Sequence, residues 1–269
     1  MTIETVGILG YGEIGQAMAR ICQEANFKVL IRELKYDQIK KNRIDFIHVN
    51  IPEKSPRSFV KIVSKNIRDL KPKLTIINSS VSPGTTRQIY NLTHTHIVHS
   101  PIIGPHPNLY LSIKKHFTKV VGPINSKSLE LSLKHFKQLK LKVAVYDSPE
   151  DSETAKLLDL VYFAWNIIFC KWVNEVCQSK KLNFNQVYTL QNQIYNSGYS
   201  QLLSNVVRPI LTPVPGPIGG HCAIPDTIMI HKYLKNRFTS FILKENNRYH
   251  QTEKVDIEKE RDKLHKTRV

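Results

Sequence analysis

Apolar and polar positions along the chain follow two regimes that change near Pro149. Before it, short apolar runs alternate with stretches of helical spacing. Residues 5–9, 27–31, 44–49, 74–77, 94–99, 119–121 and 143–146 read as strands. Between them, residues 16–23 (Ala17, Ala19, Ile21, Cys22), 58–68 (Phe59, Ile62, Val63, Ile67) and 126–138 (Leu129, Leu133, Phe136) repeat apolar side chains as a helix with one buried face does. Pro83 and Gly84 end the fourth strand, and Thr85 or Thr86 can cap a helix through Ile89 and Tyr90. Strands separated by helices are connected by crossovers, so the pattern predicts a mostly parallel, doubly wound sheet that ends near Ser148.

After Pro149 the chain has no proline or glycine until Gly198. Ser148-Pro149-Glu150-Asp151 is a helix start: a hydroxyl to cap, a proline where a helix can begin, and carboxylates in the first turn. Residues 157–177 are apolar on nearly every side, yet Asp159, Asn166, Lys171, Asn174 and Glu175 make a bilayer span costly. The expectation is a central helix buried between domains or subunits. One or two further helices fall within 183–203, and a short one within 227–234. From Lys244 the chain is charged without a strong apolar stripe, which predicts a solvated helix or a disordered tail. The domains expected are thus 1–148, 149–235 and 236–269.

The composition, with 41% apolar and 23% charged residues over 269 positions, is that of a globular chain. The start has no signal-peptide pattern, and Cys22, Cys170, Cys177 and Cys222 follow no disulfide or CxxC spacing, so a cytoplasmic location is expected. The net charge of +17 raises nucleic-acid binding, but the Lys and Arg are spread from Arg20 to Arg268. A diffuse positive field suits a small anionic substrate, and nucleic acid is not the partner expected.

Candidate chemistry begins at Gly10-Tyr11-Gly12-Glu13-Ile14-Gly15, set between the first strand and the first helix. Gly10 allows the tight turn, Gly12 lets a pyrophosphate approach the backbone, and Gly15 lets helix and strand pack closely. The helix N-terminus offers free N–H groups to the phosphates. This is the dinucleotide fingerprint of a Rossmann-type domain, and the cofactor expected is NAD or NADP. Arg32 and Glu33 end the second strand: the carboxylate would bind the ribose diol of NAD, the guanidinium the 2′-phosphate of NADP. A Rossmann domain that binds another nucleotide, such as S-adenosylmethionine, fits the same turn. His94 and His96 alternate on one strand face, but no third ligand follows at a recognised spacing, so no metal is expected.

The stretch Pro213-Val214-Pro215-Gly216-Pro217-Ile218-Gly219-Gly220-His221-Cys222-Ala223-Ile224-Pro225-Asp226 is a shaped loop that delivers one thiol. Cys222 can be a nucleophile or a buried structural cysteine. The loop resembles the active-site loop of the UDP-glucose/GDP-mannose dehydrogenase family, with Gly-Gly-His-Cys and the Asp in register and the Pro one place late. Pro83-Gly84-Thr85-Thr86, Glu153-Thr154-Ala155-Lys156 and Asn174-Glu175 resemble further motifs of that family.

The resemblance implies an α/β fold, a Rossmann-type doubly wound parallel sheet followed by a helical domain. It implies that Cys222 captures an aldehyde as a thiohemiacetal, Asp226 assists proton or water handling, Lys156 stabilises the substrate oxyanion, and Ser80 places a hydroxyl near the nicotinamide. Departures are Ile102 where the family carries a glutamate and Leu160 where it carries an asparagine. The resemblance runs over residues 3–235, two of the family's three parts, so a truncated enzyme is expected. The function expected is NAD(P)-dependent oxidation of an alcohol, a nucleotide sugar in the family, by a homodimer joined through the central helix. The alternative is a nucleotide-binding transferase or a non-redox regulatory protein.

Overall fold

The computed structural model describes residues 3–40 and 42–252. They form two compact units that divide between Lys156 and Leu157. The division lies inside a helix, eight residues later than the boundary expected at Ser148, because the first two turns of that helix are bonded into the first unit.

The first unit holds β1 (Thr5–Leu9), α1 (Glu13–Glu24), β2 (Lys28–Glu33), β3 (Tyr36–Asp37), β4 (Phe46–Val49), α2 (Pro56–Leu70), β5 (Leu74–Ile77), α3 (Thr85–Thr93), β6 (Ile97–His99), α4 (Leu109–Leu111), β7 (Lys119–Pro123), α5 (Ser126–Gln138) and β8 (Val143–Val145). The eight strands lie in the order β3-β2-β1-β4-β5-β6-β7-β8. Pairing is parallel except at β2–β3 and β6–β7. Neighbouring residues of one strand feed opposite layers: Ile8, Ile76 and Val98 join one apolar cluster, while Leu9, Ile77 and Ile97 join the other. Both faces of the sheet are covered, as a doubly wound sheet requires.

Strand order reverses between β1 and β4. In open α/β sheets ligands bind beyond the strand C-termini at such a point, and the glycine turn starts there.

Several local expectations change. The sixth strand begins at Ile97, because His94 ends α3 as a left-handed cap with φ 50°. His94 and His96 therefore share no strand face. Gly84 caps α3 without a side-chain bond from Thr85 or Thr86. Tyr36–Asp37 adds an antiparallel edge strand too short to leave a period-two signal. Ile102 is buried in the first core cluster, which accounts for an apolar residue at that place.

The second unit contains most of α6 (Pro149–Ser179), a π-helical turn at Asn185–Leu190, α7 (Gln191–Leu202), α8 (Ala223–Leu234) and α9 (Arg237–Thr252). Its core joins Val161, Ala164 and Ile168 of α6 to Ile230 of α8 and to Ile242 and Tyr249 of α9. The stretch expected as a solvated helix or a disordered tail is a helix up to Thr252, packed through Ile242 and Tyr249 rather than solvated on every side; the remainder of that expectation, 253–269, lies outside the described residues. Helix α6 is not buried on every side: Tyr162 is 59% and Trp172 54% exposed. No helix among the described residues is long and apolar enough to cross a membrane.

Candidate functional site

The glycine turn divides its three glycines by need. Gly10 has φ +88°, and a Cβ there would lie 3.0 Å from the Asn50 carbonyl carbon. At Gly15 a Cβ would lie 2.0 Å from the Gly10 carbonyl oxygen, which binds helix closely to turn. Gly12 is different: its φ of −69° is open to any residue, and a Cβ there meets nothing within 4 Å among the described residues. The fold needs the outer two glycines. The middle one leaves open space at the N-terminus of α1, where four backbone N–H groups lack helical partners. Tyr11 and Ile14 pack against the first core cluster, and Glu13 stays exposed with its carboxylate on His106 Nδ1.

Arg32 and Glu33 point to different partners. Glu33 Oε2 accepts from the Tyr11 backbone N–H at 2.7 Å, and its Oε1 accepts from the Leu34 N–H at 2.8 Å. The Tyr11 and Leu34 amides hold this carboxyl below its usual range. Arg32 is tied to Asn66 Oδ1 and, at 2.8 Å, to Asp37 Oδ2. The carboxylate rather than the guanidinium therefore addresses the glycine turn.

Beyond β5, Ser79 is buried, with its hydroxyl donating to the Ile51 carbonyl at 2.6 Å, and Ser80 is half-buried. The loop that follows is gripped by two carboxylates. Glu53 accepts from the Ser82 N–H at 3.0 Å, the Ser82 hydroxyl at 2.6 Å and the Thr85 hydroxyl at 3.1 Å. Glu153, on the first turns of α6, accepts from the Gly84 N–H at 2.6 Å and the Thr86 N–H at 2.8 Å. It caps α3, which is why no threonine hydroxyl has to. Burial pushes the Glu153 carboxyl up to about 7, while the two amides and Thr86 pull it down. In the sequence Glu153 is a carboxylate at a helix start and the first letter of a motif; an acid one turn before Lys156 gives no hint that its partner is sixty-odd residues away.

Lys156 is half-buried, and its charge helps to press down the pKa of Lys119 and of His99. Lys119 is enclosed. Its Nζ donates to Asn78 Oδ1 at 3.2 Å, to the Pro101 carbonyl at 3.0 Å and to the Ser100 carbonyl. Burial pushes this amine well down, but three oxygen acceptors call for the three protons of an ammonium. His99 Nε2 faces the Ser79 carbonyl at 3.1 Å and Nδ1 the Ser152 hydroxyl at 2.6 Å; burial lowers it to about 3. Neither Lys119 nor His99 stood out in the sequence, since both sit in ordinary apolar strands.

In the second unit, Cys222 is the N-cap of α8, and Asp226 is buried in that helix's first turn. The helix starts four residues earlier than expected, so Pro225 and Asp226 belong to helix rather than loop. Cys222 is half-buried, whereas Cys22, Cys170 and Cys177 are buried. Lys171 of α6 shapes the preceding loop: its Nζ donates to the Val214 carbonyl and, at 2.5 Å, to the Gly216 carbonyl, and it lies 4.6 Å from the Tyr249 ring centre. Asn246 Oδ1 accepts from the Ile218 N–H at 2.6 Å. Gly216 and Gly220 take positive φ, 73° and 88°, as such a bent loop requires.

No protein-family model and no curated protein matches the sequence. Solved structures do match in shape. The chain is similar to the UDP-D-ManNAc dehydrogenase of Pyrococcus horikoshii, with a TM-score of 0.75 and 16% identity over 91% of this chain and 68% of that one. It is similar to a UDP-glucose dehydrogenase of Pyrobaculum islandicum, with a TM-score of 0.73 and 14% identity over the same shares, 91% and 68%. It also resembles the 3-hydroxyisobutyrate dehydrogenase of Mycobacterium tuberculosis, with a TM-score of 0.70 and 13% identity over 93% of this chain and 95% of that one. The expected resemblance to UDP-sugar dehydrogenases therefore holds at the level of structure, and the architecture is the Rossmann-type sheet with following helices that these dehydrogenases share.

Proposed function

We propose that the protein is a nicotinamide-dependent dehydrogenase that oxidises an alcohol on a small anionic substrate. The observation that carries this reading is the open space at Gly12, which the fold does not require and which a pyrophosphate on the α1 N-terminus would use. NAD is the preferred cofactor. A ribose diol can share Glu33 with the Tyr11 amide, while a 2′-phosphate beside that carboxylate would be repelled and Arg32 is already engaged.

When bound, the nicotinamide accepts hydride from the alcohol carbon. The residues assigned to assist are Lys156 for the developing oxyanion, Ser80 near the reacting end, and Cys222 with Asp226 for a second, thiol-dependent oxidation. The role of Cys222 rests on the loop resemblance and on its place at a helix N-terminus, which favours an anion. Nucleotide sugars are one substrate class, from the likeness to UDP-sugar dehydrogenases. Small hydroxy acids are the other, favoured by the 95% coverage of the 3-hydroxyisobutyrate enzyme. A homodimer through α6 is supported by the exposed aromatic stripe of Tyr162, Phe169 and Trp172, and a cytoplasmic location by the buried thiols of Cys22, Cys170 and Cys177, none of them in a disulfide.

The test is binding followed by turnover. Fluorescence titration with NADH, NADPH and S-adenosylmethionine should give the tightest binding for NADH. NAD reduction is then followed with UDP-glucose, UDP-N-acetylmannosamine and 3-hydroxyisobutyrate. Binding of S-adenosylmethionine alone would replace this reading with that of a transferase.

A further inference from the structure

Away from the glycine turn, the core of the first unit encloses a thiol and two imidazoles. Cys22 of α1, His48 of β4 and His135 of α5 are all fully buried, and their candidate ligand atoms lie within 4.8 Å of one another. His48 Nε2 and His135 Nε2 are 2.9 Å apart.

The hydrogen bonds fix where the protons sit. Asn78 Nδ2 reaches His48 Nδ1 at 3.1 Å and Asn50 Oδ1 at 2.9 Å, while its Oδ1 accepts from Lys119. The amide nitrogen can only donate, so His48 accepts at Nδ1 and carries its proton on Nε2. That proton is given to His135 Nε2, which therefore holds a lone pair. The proton of His135 is left on Nδ1, and that atom is buried with no partner among the described residues.

An orphaned donor is a standing penalty in a core. Phenylalanine would avoid it here: the His135 ring stacks on Phe46 at 4.2 Å and meets Phe27 and Phe136 edge-on or tilted. The imidazole is thus retained in an aromatic site with its lone pair aimed at a second imidazole, near a thiol.

We propose that Cys22, His48 and His135 form a buried site for a soft monovalent metal ion of the copper(I) class. One thiolate and two imidazoles suit such an ion, whereas carboxylate and carbonyl ligands suit harder ones. Charge decides between monovalent and divalent: copper(I) with one thiolate is neutral, whereas a zinc ion would leave a net positive charge near Lys119. Three-coordinate geometry with bonds of about 2.0 Å spaces two nitrogens about 3.5 Å apart, so the rings must part by roughly half an ångström.

On binding, the Cys22 S–H bond breaks, the sulfur–metal bond forms, and one proton leaves to solvent. His48 moves its proton from Nε2 to Nδ1 and donates it to Asn78 Oδ1, which turns towards it and gives up the Asn78 bonds to Lys119 and Asn50, while Lys119 keeps the Ser100 and Pro101 carbonyls. The oxidation state does not change. Since the cluster is closed to solvent, loading belongs to folding.

The full chain is unfolded and refolded without oxygen, with copper(I) buffered by a competing chelator. The wild type and Cys222→Ser are expected to keep about one copper per chain after chelator exchange, and X-ray absorption should show one sulfur and two nitrogens about the metal. Cys22→Ala and His135→Phe, both apolar replacements compatible with this core, should retain less than about a tenth of that copper. Failure of the wild type to hold copper, retention by folded Cys22→Ala, or loss only in Cys222→Ser would overturn the proposal. Equal retention of zinc in a parallel refolding would overturn its monovalent character.

Discussion

Two alanine substitutions in one turn separate a glycine required by the fold from one that only the proposed cofactor needs. In Gly15→Ala the new methyl would sit 2.0 Å from the Gly10 carbonyl oxygen and 3.0 Å from its carbonyl carbon. Both are backbone atoms, so helix α1 or the turn must move. An overpacked site of this kind costs about 2–3 kcal/mol, a fall in Tm of roughly 5–10 °C for a chain of this size. In Gly12→Ala the methyl meets no protein atom, and φ is already in an ordinary region. Its only penalty is that of alanine at an N-cap, below about 1 kcal/mol, or some 2–4 °C. That methyl would nevertheless stand where the pyrophosphate must approach, and NADH affinity should fall by about tenfold or more, roughly 1.4 kcal/mol. Differential scanning fluorimetry and NADH titration on both variants make the comparison. Unaltered NADH affinity in Gly12→Ala would refute the placement of the cofactor on this turn; an equal loss of Tm in the two variants would refute the division of the glycines.

Acid should weaken the fold through its buried histidines. His99 and His135 have folded values near 3 against 6.5 in the open chain, so their contribution is complete above pH 6.5 and is lost as pH falls. By pH 5 the two together withdraw about 4 kcal/mol, and His48, lowered in the same direction by burial, adds to this. Glu153 acts oppositely: raised to about 7, its contribution is present at low pH and lost as pH rises towards 7, offsetting about 2.5 kcal/mol at pH 5. Urea midpoints between pH 8 and 5 should therefore decline, and Glu153→Gln should steepen the decline; a flat profile in both would contradict the assignment. Lys119→Met leaves Asn78 Oδ1 and the Ser100 and Pro101 carbonyls without their donor, and Tm should drop by roughly 5–10 °C; an unchanged Tm would mean that the ammonium contributes nothing. Glu33→Ala should narrow the preference for NADH over NADPH by about tenfold, read from paired titrations, and an unaltered ratio would remove Glu33 from the ribose site. A brief pulse of alkylating reagent on the native protein should mark Cys222 well before Cys22, Cys170 and Cys177, with peptide mass spectrometry as the readout.

The sheet was legible because its signal is local. Each strand is a short apolar run, and the glycine spacing between β1 and α1 carries its own chemistry. The helical half was less so. Residues 237–252 look polar in composition, yet Ile242 and Tyr249 lie two turns apart on one face and both are buried. The charged neighbours outnumber that stripe and hide it from a composition argument. The glycine turn was visible from its spacing, but Arg32 and Glu33 are adjacent, and only the partners at Asn66, Asp37 and Tyr11 tell them apart. The buried polar groups were the least visible. Lys119 and His99 sit at apolar strands and His135 on the buried face of an amphipathic helix, and what satisfies or strands them comes from strands and helices distant in sequence.

The grip of α6 on α3 bears on how this chain can be cut. Glu153 finishes the amide end of α3, Glu150 holds Arg87 at 2.5 Å, and Ser152 meets His99. A fragment stopped at the sequence boundary of Ser148 would strip the first unit of all three fastenings. Carrying the fragment through Lys156 keeps them, so an autonomous version of that half has to borrow the opening turns of a helix whose remainder serves its neighbour.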